Sequence, residues 1–203
     1  MYTSLTTLKE FVLPESIQDK DDWDSMLLAI GAGIADLFDT RCNRKLRREV
    51  DAIAEFGGEH SCFVLPRYPI ETIASVHTRS TPSDAWREEP SAIQTQSDQS
   101  GLISFCGRIA HECERIQVTY TAGYFVDITG ETALPDGATP MPADLMLAWY
   151  QQCAHVFEQR DKLGSNFTGA DRGLGGALVS LIQIGLTDPV EQVLQGHKRF
   201  QIL

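Results

Sequence analysis

The chain has 203 residues and a net charge of −11, enough for one large domain or two small ones with a core that needs no disulfides. The negative balance argues against a protein that grips nucleic acid through its phosphates, since that binding depends on Lys and Arg. It leaves room for one that lets nucleic acid pass without sticking. No run of about 18 apolar residues is present, so no membrane-spanning helix is expected. MYTSLTTLKEF lacks the basic start and apolar stretch of a secretory signal. The five cysteines, Cys42, Cys62, Cys106, Cys113 and Cys153, are odd in number and scattered. Without a signal, they read as free thiols in a reducing compartment.

In chain order, Thr6 to Val12 predicts a short helix that ends near Pro14. Asp19 to Asp22 forms a polar turn suited to the positive end of the next helix. From Trp23 the apolar positions are Trp23, Met26, Leu27, Ile30, Ile34, Leu37 and Phe38. Their spacing of three and four predicts one face of a helix running to about Arg41. Gly31 and Gly33 weaken that helix, so close approach of another backbone is expected there.

Arg41 to Arg48, RCNRKLRR, holds five of the 17 basic residues. One reading is a patch for nucleic acid or an acidic partner. The other, carried forward here, is a helix end dressed with cations that leads into a solvated strand.

A β region follows. Val50, Ala52 and Ala54 alternate with charged residues, and Gly57-Gly58 makes a turn. Cys62 to Leu65 is a short apolar strand closed by Pro66. Tyr68 precedes Pro69 and is therefore extended. Ile70 to His77 alternates again, with Thr72, Ala74 and Val76 facing away from Ile73, Ser75 and His77. Thr78 to Pro90 is polar and turn-rich. Short strands are expected near Ala92–Thr95 and Gly101–Phe105. Glu114 to Tyr124, ERIQVTYTAGY, is a buried strand with Ile116, Val118 and Tyr120 on one face. It stops at Gly123, which can take a positive φ without a Cβ clash. Five to six strands at this spacing predict a small antiparallel sheet or barrel-like module.

A loop from Phe125 to Pro140 leads to a second strong helix, from about Pro142 at its first position to Leu163. Leu145, Trp149, Cys153, Val156 and Phe157 form its stripe, and Gly164 ends it. Asn166 to Gly176 is glycine-rich and polar. Ala177 to Leu186 is apolar enough to need cover. Thr187-Asp188-Pro189 opens a short helix towards Gly196. The fold class is α+β: a helical core of amphipathic helices, an inserted small antiparallel β module and an extended C-terminal tail. The divisions are 1–46 (helical), 47–124 (β module), 125–163 (loop and long helix) and 164–203 (flexible segment with a short helix). An apolar end, Phe200, Ile202 and Leu203, predicts docking against the chain's own domain or a partner. Phe167, Leu174 and Leu178 join them as candidate partner-interface residues.

Little in the chain predicts catalysis. Two His-x-Cys pairs, His60-Ser61-Cys62 and His111-Glu112-Cys113, place zinc-type ligands on one side of a strand each. Their spacing matches no known zinc motif, and buried thiols beside histidines are commoner. GLGGA at Gly173 to Ala177 lacks the Lys-Ser/Thr of a phosphate loop and reads as a hinge. No Gly-x-Ser-x-Gly, catalytic carboxylate pair or His-Glu-x-x-His occurs. Trp23, Trp86 and Trp149 read as core or interface anchors, since no basic groove accompanies them. No cofactor, metal or catalytic residue is assigned.

Five stretches together carry a resemblance: TSLTTLKEFV, AIGAGIADLFDTRCNRKL, VLPRYPIETIASVH, RIQVTYTAGY and MPADLMLAWYQQCAHVFEQRD. Across residues 4–162 the chain resembles the head-to-tail connector (adaptor) proteins of long-tailed bacteriophages and related gene-transfer particles. It departs from the shorter members in its β insertion and its glycine-rich C-terminal part. The resemblance implies a non-catalytic virion protein, assembled in the bacterial cytoplasm. It implies a ring of about twelve copies, with portal protein above and a tail-side neck protein (stopper or tail terminator) below. Double-stranded DNA would pass through the lumen without specific binding, and no membrane is involved. A segment 164–176 followed by an apolar end would suit a tail that orders on the portal. The alternative from another class is a metal-containing hydrolase or nucleic-acid-processing protein built on the His-x-Cys pairs.

Overall fold

The computed structural model describes residues 1–58, 61–89, 93–105, 114–129, 132–159 and 185–199. The chain is α+β and divides into two compact units. One comprises Met1–Phe38, Asp127–Thr132 and Pro142–His197, the other Asp39–Val126, Ala133–Met141 and Lys198–Leu203.

The first unit is built from helices. α1 spans Leu5–Val12, and the Ser4 hydroxyl caps it by accepting the Thr7 N–H at 3.2 Å. Short 3-10 turns at Glu15–Ile17 and Asp21–Trp23 lead into α2, Asp24–Cys42. Leu27, Gly31, Ile34, Ala35 and Phe38 form the buried stripe of α2. Met26, expected on that stripe, is 38% exposed. The stripe turns away from it towards Gly31, where the Trp149 ring packs against the helix.

That contact is made by α3, Ala143–Glu158. Trp149 is fully buried, and its indole N–H donates to the Gly31 carbonyl at 3.2 Å. Tyr2 lies 5.7 Å from the Trp149 ring and 6.3 Å from Phe38, and its hydroxyl donates to the Ala35 carbonyl. A Cβ on Gly31 would come within 3.0 Å of the indole, whereas one on Gly33 would meet nothing within 4 Å. The expected close approach therefore occurs at Gly31 alone, and it is made by an indole ring, not a second backbone. The predicted α3 stripe of Leu145, Trp149, Cys153, Val156 and Phe157 is buried throughout. Pro142 stands at the N-cap, one residue before the expected first position. α3 ends at Glu158, ahead of the predicted Leu163, which lies outside the described residues with Gly164.

α4, Asp188–Gly196, carries proline in its first turn as expected. It is no loose tail: Val190 and Leu194 are buried. Gln152, fully buried in the apolar stripe of α3, donates to the Gly185 carbonyl at 3.2 Å and accepts the Thr187 N–H at 3.1 Å. Its own buried amide is thus satisfied by backbone groups at the entry to α4. At the far end of α4, His197 bonds the Asp144 carboxylate at 2.8 Å.

Among the described residues the second unit holds nine strands, more than the five or six expected. β1 is Glu49–Gly57, β2 Cys62–Val64, β3 Ile70–Arg79, β4 Arg87–Glu88, β5 Ile93–Ser97, β6 Leu102–Phe105 and β7 Arg115–Ala122. They form two antiparallel sheets, β1-β7-β3-β4 and β2-β6-β5. This replaces the single sheet or barrel read from the sequence. One apolar cluster takes Ala52, Val76, Ile116 and Val118 from the first sheet and Phe63, Ile103 and Phe105 from the second. Two-residue strands β8, Tyr124–Phe125, and β9, Thr139–Pro140, pair in parallel.

Bulges shift the side-chain phase that simple alternation predicts. Asp51 has φ 53° within the bulge between Glu49 and Ala52. Val50 is therefore turned outward, 56% exposed, while Ala52 and Ala54 stay buried. In β3, two irregularities leave Ile70, Val76 and Thr78 as its buried positions. The Tyr68–Pro69 peptide is cis.

Two predictions follow from the helical unit. Gly33→Ala raises stability by about 0.5–1 kcal/mol, the helix-propensity gain. Gly31→Ala lowers it, because crowding against Trp149 costs about 1–3 kcal/mol; urea unfolding of both variants checks the opposed signs. Burial would push the Asp144 carboxyl up, but His197 and the Leu145 N–H outweigh it and hold the carboxyl below its ordinary value. A depressed carboxylate stabilises above its unfolded pKa of about 4 and loses that contribution as pH falls through the folded value. Melting curves of the native protein and Asp144→Asn should therefore differ above about pH 4 and converge in stronger acid.

Candidate functional site

The best-defined polar constellation lies in the second unit, where the basic run crosses it. α2 stops because Asn43 takes φ 51°, a helix-ending left-handed conformation that asparagine tolerates. The Asp39 carboxylate then accepts the Leu46 N–H at 2.9 Å and pairs with Lys45 at 3.3 Å. From Cys42 the side chains alternate strictly: Cys42, Arg44 and Leu46 are buried, Asn43, Lys45 and Arg47 exposed. The backbone is tied on both sides. Lys45 N–H donates to the Pro66 carbonyl, Tyr124 N–H to the Leu46 carbonyl and Arg48 N–H to the Tyr124 carbonyl, each at 2.8 Å.

Gly123 makes this crossing possible. Its φ is +100°, the positive value its place after the β7 pattern predicts. A Cβ there would lie 2.7 Å from the Arg47 carbonyl oxygen and 2.9 Å from the Arg48 Cα.

Two cations of the run, Arg44 and Arg48, and two from elsewhere in the chain, Arg67 and Arg199, are engaged within the fold. Arg48 grips both oxygens of Glu71 at 2.7 and 2.9 Å. Arg67 donates to the Arg47 carbonyl and to Glu49. Arg44 is buried, its guanidinium carbon 3.8 Å from the Tyr68 ring centre and 5.3 Å from that of Tyr124. Arg199, just beyond α4, donates its backbone N–H to the Cys42 carbonyl at 2.8 Å and its Nη2 to the Val64 carbonyl. The expected cation-dressed helix end and solvated strand start hold for Arg41, Lys45, Arg47 and the first residues of β1, which are exposed, whereas Arg44 is buried and Arg48 half-buried. The pattern Cys-x-Arg-x-Leu carried the signal of a buried extended segment, masked by the charge at its centre.

Reactive chemistry is muted here. Burial pushes the Cys42 thiol up to about 11 and, in the helical unit, the Cys153 thiol up to about 12. Both stay protonated at neutral pH and are poor nucleophiles. Burial likewise raises Tyr120 to about 12. Among the described residues no three of His, Cys, Asp and Glu gather as a metal set. His60, His111 and Cys113 lie outside the described residues, so the His-x-Cys pairing does too; Cys62 is a half-buried free thiol. Phe167, Leu174, Leu178, Phe200, Ile202 and Leu203 also lie outside them.

Each unit exposes apolar side chains. In the helical unit Phe11 is 56% exposed and stacks on Tyr150 at 4.0 Å, with Leu147 one turn before Tyr150 on α3. In the β unit Val50 and Ile53 are exposed on β1, an edge strand that also carries Glu49, Asp51 and Glu55. Of the three tryptophans, Trp149 is core, Trp23 packs edge-on against Phe157, and Trp86 stacks under the Arg79 guanidinium at 4.2 Å.

Gly123→Ala tests the crossing. It should destabilise the protein by about 1–3 kcal/mol through strained backbone and the clash with Arg47, read as a lower melting temperature.

No protein-family model matches the sequence, and no curated protein matches it. Solved structures do share the fold. A chain in the neck of an empty gene transfer agent particle, computed with C6 symmetry, is 14% identical, with 100% of this chain and 92% of that one covered at a TM-score of 0.61. A chain of the virion of a native gene transfer agent particle is 12% identical, with 100% and 92% covered at 0.62. A chain in the neck of the native particle, computed with C12 symmetry, is 14% identical, with 98% and 91% covered at 0.56.

Proposed function

We propose that this protein is a structural component of the neck of a phage-like particle. In this reading it is an adaptor ring that joins the portal to the tail-side neck protein and extends the DNA channel. The observation that carries the reading is the fold shared end to end with neck chains of gene transfer agent particles. Three further features support it. Copies related by a rotation that closes make a ring through one repeated heterologous contact, and both units expose apolar side chains for such contacts. The net charge of −11 repels a passing duplex and favours sliding over capture. Buried, protonated thiols at Cys42 and Cys153 fit a scaffold better than a catalyst.

Within this proposal the apolar residues Phe167, Leu174, Leu178, Phe200, Ile202 and Leu203 contact the portal or a neighbouring subunit. Because α4 is packed into the helical unit, a test of that role must spare residues 185–199.

Quantitative mass spectrometry of purified necks should give about twelve copies per particle, and loss of the protein should leave DNA-filled heads that do not join tails. One or two copies, or tailed particles without the protein, would overturn the assignment. Replacing Phe200, Ile202 and Leu203 by serine should leave a folded protein that no longer sediments with portal-bearing heads.

A further inference from the structure

Several cations of the β unit are paired with carboxylates: Arg48 with Glu71, Arg67 with Glu49, Lys45 with Asp39. Arg44 has no such match. It is 5% exposed, yet its Nε and Nη2 are sealed from solvent and reach no acceptor. Those are the same two nitrogens with which Arg48 takes the two oxygens of Glu71. A guanidinium presents them as a rigid fork suited to two oxygens of one anion. The guanidinium of Arg44 lies over the Tyr68 ring and, at longer range, the Tyr124 ring, contacts that hold the fork in place.

The nearby groups do not supply the missing charge. Asp39 is engaged by Leu46 N–H and Lys45. Burial raises the Tyr68 phenol, which therefore stays neutral. Instead a second cation joins: the charges of Arg44 and Arg199 both act on Tyr68. Arg199 uses Nη2 on the Val64 carbonyl, while its Nε is also sealed and without an acceptor. Two desolvated guanidinium groups without a carboxylate partner among the described residues are costly in any fold, and here they sit in a protein with 28 acidic residues.

We propose that Arg44 and Arg199 together bind a small doubly charged tetrahedral oxyanion, inorganic phosphate, with Arg44 Nε–H and Nη2–H donating to two of its oxygens. Two positive charges match a dianion better than a single carboxylate. A free ion also needs no chain to follow it to a fork covered by two tyrosine rings. The ion ties the segment after α2 to the residues after α4, so it acts as a structural ligand of the β unit. The proposal stands apart from the neck assignment and is tested on the isolated full-length chain.

The experiment is thermal unfolding and titration calorimetry in an amine buffer, with sodium phosphate, sodium sulfate or sodium chloride at equal ionic strength. Phosphate and sulfate should raise the melting temperature to a plateau, with one ion bound per chain, and chloride should not. Arg44→Lys keeps the charge but removes the fork, and should weaken phosphate binding at least about tenfold. Arg199→Gln should do the same, while Arg47→Gln, on the exposed side of the same segment, should bind normally. If an Arg44 variant fails to fold, the native protein and Arg199→Gln still decide. Equal responses to phosphate and chloride would overturn the proposal. So would undiminished binding in Arg199→Gln, or an ordered water on the Arg44 fork in a crystal grown with phosphate.

Discussion

The β unit depends on a carbonyl oxygen lying where a methyl group would otherwise be. Arg47 can press against Gly123 only because Gly123 has no Cβ and accepts a left-handed backbone. That contact lets Tyr124 exchange backbone bonds with Leu46 and Arg48. With those bonds in place, Leu46 is buried, Arg44 is laid over the Tyr68 ring, and Arg48 meets Glu71. The end of a helix, the central strand β7 and the start of β3 are all referred to this crossing. The residues that do it are polar or charged for the most part. The hydrophobic effect builds the two sheets, and directed bonds fix how the chain enters them.

The helical unit balances differently. Gly31 forgoes about 1 kcal/mol of helix propensity relative to alanine. What it gains is an indole ring set flush against the helix, with a hydrogen bond to its backbone. Burying an aromatic of that size is worth more than the propensity lost, so the glycine is favoured where the two terms compete. At Gly33, where nothing approaches, the same residue brings no such return within one chain.

Periodicity made the helices legible. All five residues predicted for the α3 stripe are buried, although Ala148 and Gln152 join them, and the glycine that follows β7 was readable too. Three things escaped for physical reasons. A bulge inverts the facing of every residue on one side of it, and nothing in Glu-Val-Asp-Ala announces that Asp51 will take a positive φ. Gly31 and Gly33 look alike in sequence and differ only in what the fold brings near. Gln152 and Arg44 each interrupt an apolar pattern with a polar head, so a hydrophobicity count discards them, although both are buried. The resemblance to connector proteins rested on VLPRYPIETIASVH and RIQVTYTAGY, stretches that include the corner and the strand of the crossing. Its expectation of fold agrees with the neck chains of gene transfer agent particles that match nearly the whole molecule.

The packing of α4 has a further consequence for synthesis. The helical unit draws on Met1–Phe38, on Asp127–Thr132 and on Pro142–His197, with Gln152 waiting for Gly185 and Thr187. A growing chain can form α1 and α2 locally, but it cannot close this core until residues 185–197 have been made. Contacts so distant along the chain slow folding and leave apolar surface uncovered meanwhile. A fragment that stops before Gly185 therefore leaves Gln152 without its two backbone partners and α3 without the cover of Val190 and Leu194.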